Sequence, residues 1–330
     1  MAFGYKNTDP NWSDILSTTF NNVHAKWVDD IFQARPLAFF LMREGQVVPI
    51  DGGVKIQESI VGAENPNAGS YSGSDTLAIA ESEEFTSALF DWKQHSTAVT
   101  VTGLDEIQNS GDAAFLDLLA SKIDVAKESA TASLNTMFHG DGTGNAGKDM
   151  DGLQNLVAQN ATAVGGIDPS DGDNTWWQSQ LHDATNAAAF SHTNSTVLDR
   201  LMVTNVFNDA SVGGDTPKFG LTTQELHEFY ESLLQQNVRH TDSMLADAGF
   251  QAIEAKGKPI VYDDETPAGY FYWLNPKYLK LKVHRNRFFK AGPFIQPNDQ
   301  DIRTMKLLTA GNLTISSRRR QGVITGLTTS

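Results

Sequence analysis

The sequence predicts an α+β fold, and three features of the 330-residue chain predict it. A two-stranded excursion comes first, one long helix follows it, and short strand and helix patterns are mixed beyond that helix. This order of parts favours a protein that assembles with copies of itself over an enzyme.

Residues 1–45 are predicted to form an N-terminal arm that lies along another surface. Their apolar side chains have partial helical spacing but are separated by wide polar gaps, so the segment is a poor core former. The apolar positions are Trp12, Ile15, Phe20, Val23, Trp27, Ile31 and Phe32.

Residues 46–103 are predicted to form an extended β-hairpin. Apolar and polar residues alternate on both strands, at Val54, Ile56 and Ile60 going out and at Val99 and Val101 returning. An isolated two-stranded ribbon is marginal in water, so we expect a neighbouring copy to support it. The alternative is a peripheral hairpin that packs on its own domain.

The segment Gly62–Asp75 is predicted to be the exposed tip of this hairpin. It is rich in Gly, Ser, Asn and Pro and nearly free of apolar residues, so it contributes no core. Its candidate subunit-interface residues are Glu64, Asn65, Pro66 and Tyr71.

The clearest element is a helix from Asp112 to Phe138, which we call the spine helix. Its apolar residues recur at steps of three and four, and it spans roughly 40 Å at about 1.5 Å per residue. The opposite face is polar, with Asp117, Lys122, Asp124 and Lys127. The glycine-rich stretch Gly140–Gly152 ends the helix and marks the start of a second region.

The second region mixes helices and strands. A capping box at Thr222 and Glu225 predicts a helix with one apolar face. Strands are predicted around 260–262, 270–274 and 278–283, and closing strand material runs from Met305 to Ile324.

Composition excludes several classes of protein. A formal net charge of −15 argues against a sequence-reading nucleic-acid binder, although an acidic container lets DNA pack without sticking. The absence of cysteine excludes disulfides, thiolate catalysis and cysteine zinc sites. The sequence shows no apolar run of about 20 residues and no export leader, so no membrane partner is expected.

The motifs with possible chemistry predict no catalytic, cofactor or metal residue. Gly142–Lys148 has the spacing of a phosphate-binding loop, but Asp149 replaces the required Ser or Thr. As a calcium loop, the same stretch lacks the bidentate Glu at its last position, where Gly152 stands.

Two further patterns have ordinary explanations. His227-Glu228 begins a zinc-protease motif, but Glu231 stands where the second histidine belongs. The acidic run Asp263–Glu265 could supply a metal site or an acid and base pair, and a solvated turn between strands is the better interpretation.

The dense basic cluster Arg318, Arg319 and Arg320 is a candidate subunit interface, with simple solvation as the alternative. In a strand, Arg318 and Arg320 share one face and Arg319 points to the other.

The chain resembles the major capsid proteins of tailed bacteriophages, whose HK97-like fold is shared with encapsulin shells. The resemblance covers nearly the whole chain and depends on the order of six segments, each weak by itself. They are FDWKQ (90–94), VTVTGLDEIQNSG (99–111), DGLQNLVA (151–158), VGGIDPSDGDNTWW (164–177), LTTQELHEFYESLLQ (221–235) and GKPIVYDDETPAGYFYWLNPKYLKL (257–281).

The resemblance implies five parts and a structural role. The parts are an N-terminal arm (1–45), an extended loop (46–103), a peripheral domain with the spine helix (104–150), an axial domain (151–300) and closing strands of the peripheral domain (301–330). Copies are expected to form hexamers and pentamers of an icosahedral phage head around double-stranded DNA, assembled in the host cytoplasm, with no catalytic residue and no cofactor.

The implied partners are a portal, decoration proteins and a scaffold. The segment before the extended loop leaves no room for a fused scaffolding region, so a separate scaffold or a processed chain is expected. An encapsulin-type nanocompartment shell is the first alternative, and an unrelated enzyme or binding domain is the second.

Overall fold

The computed structural model describes residues 35–62, 67–77, 79, 85–108, 112–186, 196–234 and 252–329. Most of the predicted arm (1–34) and the predicted tip residues Glu64, Asn65 and Pro66 lie outside these ranges. The α+β prediction is confirmed. Within the described ranges, no helix combines the length and apolarity needed to cross a bilayer.

Seven α-helices lie in the described ranges. They are α1 (Pro36–Arg43), α2 (Gly103–Gln108), the spine helix α3 (Asp112–His139), α4 (Gly144–Gly147), α5 (Leu153–Leu156), α6 (Arg200–Ala210) and α7 (Gln224–Leu233).

Thirteen strands lie in the same ranges. They are β1 (Val47–Ile50), β2 (Ile56–Val61), β3 (Phe85–Phe90), β4 (Lys93–Thr102), β5 (Gln180–Asp183), β6 (Phe219–Thr222), β7 (Ala252–Ala255), β8 (Lys258–Tyr262), β9 (Phe271–Leu274), β10 (Leu279–His284), β11 (Lys290–Ala291), β12 (Ile302–Ile315) and β13 (Gly322–Thr325).

The long strand β12 organises a five-stranded sheet. Its first part pairs antiparallel with β4 and its last part with β10, while β1 runs parallel to β10 and β11 pairs with the middle of β12. The spine helix lies against β4, where Ala126 packs with Val99 and Met305. Burial of this apolar seam fixes the helix on the sheet.

A six-stranded sheet has the order β5-β13-β9-β6-β8-β7. Helices α6 and α7 pack on it around Phe271, Trp273 and Ile324, all fully buried. The indole Nε1 of Trp273 donates to the Val203 carbonyl at 2.9 Å, which ties α6 to the sheet.

The spine-helix prediction is confirmed over 28 residues, from Asp112 to His139. Ala130, Leu134 and Phe138 are buried as the helical spacing requires, and Asp124 is exposed on the opposite face.

The predicted return strand of the hairpin is wrong. Strand β2 pairs with β3, not with β4, and the paired strands cover residues 56–61 and 85–90. Strand β4 pairs instead with β12 and turns Val99 toward the spine helix. Its alternation of valine and threonine therefore describes a sheet with one buried face, not a projecting ribbon.

The base of the hairpin packs on its own chain, as the alternative interpretation held. Ile56, Ile60, Ala88 and Phe90 are buried in the main core. Gly165 allows this contact, because a Cβ there would lie 2.7 Å from the Cβ of Ala88.

Strand pairing links the predicted axial segment with the predicted closing strands. Strand β10 belongs to the predicted axial segment 151–300 but pairs in the five-stranded sheet with β12. Strand β13 belongs to the predicted closing strands 301–330 but pairs in the six-stranded sheet with β9 and β5.

Candidate subunit-contact surfaces and buried polar clusters

The three arginines lie in a turn, not in a strand. Strand β12 ends at Ile315 and β13 begins at Gly322, with Arg318–Arg320 between them. The expectation that Arg318 and Arg320 share a strand face is therefore wrong.

Arg318 is fully buried, so its assignment to an exposed interface is also wrong. Its Nε donates to the Leu156 carbonyl at 2.8 Å, its Nη1 to the Trp177 carbonyl at 3.2 Å, and its Nη2 to the Gln159 carbonyl. Burial lowers the pKa of Arg318 to about 10. Leu156 ends α5, where the carbonyl ends of the helix attract a cation. The guanidinium thus joins α5 and the residues around Trp177 to the turn before β13.

Arg319 and Arg320 lie nearer the surface. The Nη1 of Arg319 donates to the Asp209 carbonyl at 2.6 Å, and this residue is exposed. Arg320 lies 2.9 Å from Asp215 Oδ2, with its guanidinium over the ring of Tyr278. A role for these two arginines in subunit contact stays a prediction.

Asp215 is the centre of a polar cluster that the sequence did not indicate. It accepts from the Tyr278 hydroxyl, from Lys277 Nζ at 3.0 Å and from Asn275 Nδ2 at 3.3 Å. The bond from Tyr278, together with those from Lys277 and Asn275, lowers the pKa of Asp215 to about 2.

A buried carboxylate fastens the hairpin to the five-stranded sheet. Glu58 of β2 lies 2.9 Å from Lys282 Nζ and 3.3 Å from Lys280 Nζ, both on β10. Thr314 of β12 donates its hydroxyl to the same carboxylate at 2.9 Å. The buried negative charge of Glu58 is therefore balanced by two lysines and one hydroxyl donor from the sheet.

The outer face of the hairpin carries exposed apolar side chains. Val61 and Phe85 lie opposite each other in the β2–β3 register and are 66% and 77% exposed. Tyr71 in the described part of the tip is 69% exposed. The sequence feature that could have predicted this patch is the pair Ile60-Val61. Two adjacent apolar residues in a strand point to opposite faces, so one of them is on the outer face.

The acidic turn differs from its expected solvated state. It does connect β8 to β9, but Asp263 is 2% exposed. Its Oδ1 accepts from Asn135 Nδ2 at 2.7 Å and from the Glu265 backbone N–H at 3.1 Å. No sequence pattern indicates the pairing of Asp263 with Asn135, because the two residues are 128 positions apart.

The remaining candidate positions form no recognisable centre. In the part of the chain that the structure describes, no group of three or more His, Asp or Glu side chains is placed to hold a metal ion. His227 is buried against Tyr262, with ring centroids 5.4 Å apart, and burial lowers its pKa.

The fold is that of viral and bacterial shell proteins. The chain is similar to the capsid protein of cyanophage A-1(L), with 17% identity over 86% of this chain and 91% of that one and a TM-score of 0.57. It is also similar to the capsid of the myovirus phage XM1, with 10% identity over 86% and 91% and a TM-score of 0.52.

An encapsulin has the same architecture. The SrpI encapsulin of Synechococcus elongatus PCC 7942 is 12% identical over 88% of each chain, with a TM-score of 0.53. No protein-family model and no curated protein sequence matches the chain. The chain therefore has the HK97-like capsid fold.

Proposed function

We propose that this chain is the major capsid protein of a tailed bacteriophage. The observation that carries the proposal is the shell-protein fold over at least 86% of the chain, shared with capsids of two phages. Its role is structural: copies associate into hexamers and pentamers that close an icosahedral head, and no residue acts as a catalyst.

The surface of the hairpin supports assembly. Val61 and Phe85 expose apolar area at the end of an element whose base is already fixed on its own sheet. Exposed apolar patches on a soluble protein mark contact sites. We propose that this end of the hairpin, with the tip residues Glu64, Asn65, Pro66 and Tyr71, contacts a neighbouring subunit.

The net charge of the chain supports a shell that encloses nucleic acid without recognising its sequence. A net charge of −15 repels phosphates, so double-stranded DNA inside such a shell is held by confinement rather than by specific contacts. The proposal includes a separate scaffold, a portal and decoration proteins as partners, assembly in the host cytoplasm and a final location in the virion.

In this proposal the sequence segments keep their assigned roles. Residues 1–45 form the arm, 46–103 the extended loop, 104–150 the peripheral domain and 151–300 the axial domain, with 301–330 closing the fold. Two strand pairs connect the last two segments: β10 pairs with β12, and β13 pairs with β9.

An encapsulin-type nanocompartment is the second candidate, favoured by the similarity to the SrpI shell. The two functions differ in what the particle encloses.

Electron microscopy of concentrated protein tests shell formation directly, and nucleic-acid analysis of native particles tests the content. We expect closed icosahedral particles that contain DNA. Particles that contain a protein cargo and no DNA would establish the encapsulin alternative, and a stable monomer at high concentration would contradict both.

A further inference from the structure

One face of the five-stranded sheet is turned away from the spine helix. Val99 of β4 is buried on the helix side, while Ser96 and Ala98 of the same strand are exposed on the other side. The register continues this outer face across the sheet, because Ala98 lies opposite Lys306 and Ser96 opposite Leu308 of β12. Directly paired residues of neighbouring strands project to the same side of a sheet.

A pocket of about 310 Å³ opens on this outer face. Its lining includes Gln94, Ser96, Arg287, Lys306 and Leu308, of which Arg287 lies in the turn between β10 and β11. The two cations, the amide and the hydroxyl can all donate hydrogen bonds, and among the described residues no carboxylate lines the pocket. The lining therefore suits an oxyanion. A water molecule occupies about 30 Å³, so there is room for a whole Asp or Glu side chain.

Three cations lie in or beside this pocket. Arg287 and Lys306 line it, and Lys290 of β11 projects from the same side because it lies opposite Leu308. All three residues are exposed. In the ranges that the structure describes, none of the three forms an ion pair with a carboxylate of its own chain. Like charges this close repel one another, so each of them favours an anion bound in the pocket.

The composition of the chain indicates where that anion comes from. The chain has 40 Asp and Glu residues against 25 Lys and Arg residues, so a second copy presents mainly negative charge. Acidic copies repel each other at long range, and a local cationic pocket attracts them in one orientation only. Nucleic-acid phosphates would meet the same donors, but the net charge of −15 opposes their approach.

We propose that this pocket binds a carboxylate side chain of a second copy of the chain. The planar guanidinium of Arg287 pairs with both carboxylate oxygens, and the ammonium of Lys306 adds a point charge beside them. The half-buried Leu308 supplies an apolar contact for the methylene groups of the incoming side chain. The proposal rests on the proposed function, in which copies of the chain assemble.

Charge reversal tests the pocket. Arg287→Glu combined with Lys306→Glu should raise the protein concentration needed for shell assembly about tenfold at low salt, with less effect at high salt. Lys218→Glu combined with Lys256→Glu is the matched control, because both lysines are exposed outside the pocket and the change in net charge is the same. The control should assemble like wild type. Chemical denaturation checks that both variants fold.

The outcomes separate this proposal from the proposed function. Assembly of the pocket variant at wild-type concentrations across a salt titration would overturn the pocket proposal alone, and so would an equal defect in the control. A wild-type chain that stays monomeric would contradict the proposed function, and the pocket proposal would fall with it. Binding of short double-stranded DNA that is lost only in the pocket variant would show that phosphate is the occupant, contrary to the proposal.

Zero-length cross-linking identifies the carboxylate directly. A carbodiimide joins an amine to a carboxylate in contact with it as an amide. In shells assembled from mixed ¹⁵N-labelled and unlabelled wild-type chains, Lys306 should be joined to an Asp or Glu of another copy, seen by mass spectrometry as peptides with one labelled and one unlabelled half. Shells in which Lys306 is joined only within its own copy, or to no carboxylate, would overturn the proposal.

Discussion

The buried guanidinium of Arg318 holds three backbone carbonyls from two segments of the chain, those of Leu156 and Gln159 in one and that of Trp177 in the other. We expect Arg318→Ala to destabilise the folded subunit by about 3 kcal/mol or more, because it leaves those carbonyls buried without donors. Chemical denaturation measures the loss.

Arg319→Ala is the matched control, since Arg319 is exposed and a surface substitution shifts stability by about 0.5 kcal/mol or less. Equal effects of the two substitutions would show that burial of Arg318 does not matter.

Asp215 makes the stability of the folded chain depend on pH in the acidic range. A carboxyl group whose folded pKa is depressed to about 2 stabilises the fold above the unfolded value near 3.8, and this contribution is lost as pH falls through about 2. Since the side chain is 21% exposed, solvent screening limits the effect, and we expect Asp215→Asn to cost about 1 kcal/mol at neutral pH. The difference from wild type should shrink between about pH 4 and pH 2. A constant difference over that range would contradict the assignment.

At the scale of residues, sequence reasoning identified the arginine cluster but not its surroundings. A run of three arginines predicts a charged surface, and only the chain reversal between β12 and β13 turns Arg318 inward. Asp263 shows the same limit, because its partner Asn135 is 128 residues away in sequence.

Glu58 tests how firmly the hairpin is attached. We expect Glu58→Ala to increase amide hydrogen exchange in β2 and β3, because it leaves Lys280 and Lys282 without their shared buried carboxylate. Ser59→Ala is the control on the exposed face of the same strand. If both variants exchange alike, the ion pairs do not hold the hairpin down.

The tip of the hairpin is expected to matter for assembly and not for folding. Replacing Gly62–Asp75 by a short turn should leave the circular dichroism spectrum unchanged, because the tip contributes no described core residue. Electron microscopy should show no closed shells. Normal shells from this variant would exclude an essential contact through the tip.

At the scale of elements, local pattern was sufficient where the element is long. The spine helix follows its apolar period from end to end, so its length was predictable. Strand pairing was not, because the alternation in β4 is compatible with either β2 or β12 as partner. In the structure, β4 pairs with β12 and also packs against the spine helix.

Charge on the surface of the whole subunit should tune assembly. We expect Arg319→Glu to change the salt concentration at which shells form while leaving subunit stability near that of wild type. An exposed pair contributes only about 0 to 1 kcal/mol, but a shell repeats it in every subunit. Light scattering across a salt titration measures the shift. Assembly identical to wild type at every salt concentration would place Arg319 outside the subunit contacts.

For the whole molecule, the order of arm, hairpin, long helix and mixed region was enough to predict the fold class. The distribution of strands between the two sheets was not predictable, because the residue patterns of β10 and β13 are compatible with either sheet. Period and turn residues define a strand, whereas its neighbours are set by the packing of distant segments.

The two strands that flank the hairpin also give the subunit a mechanical property. Strand β1 leads into the hairpin and β4 leads out of it, and both are paired within one five-stranded sheet. Tension along β4 therefore loads its whole ten-residue ladder with β12 in shear, so the bonds must yield together rather than one after another. In the proposed shell, we expect outward pressure to load this ladder in shear within each copy.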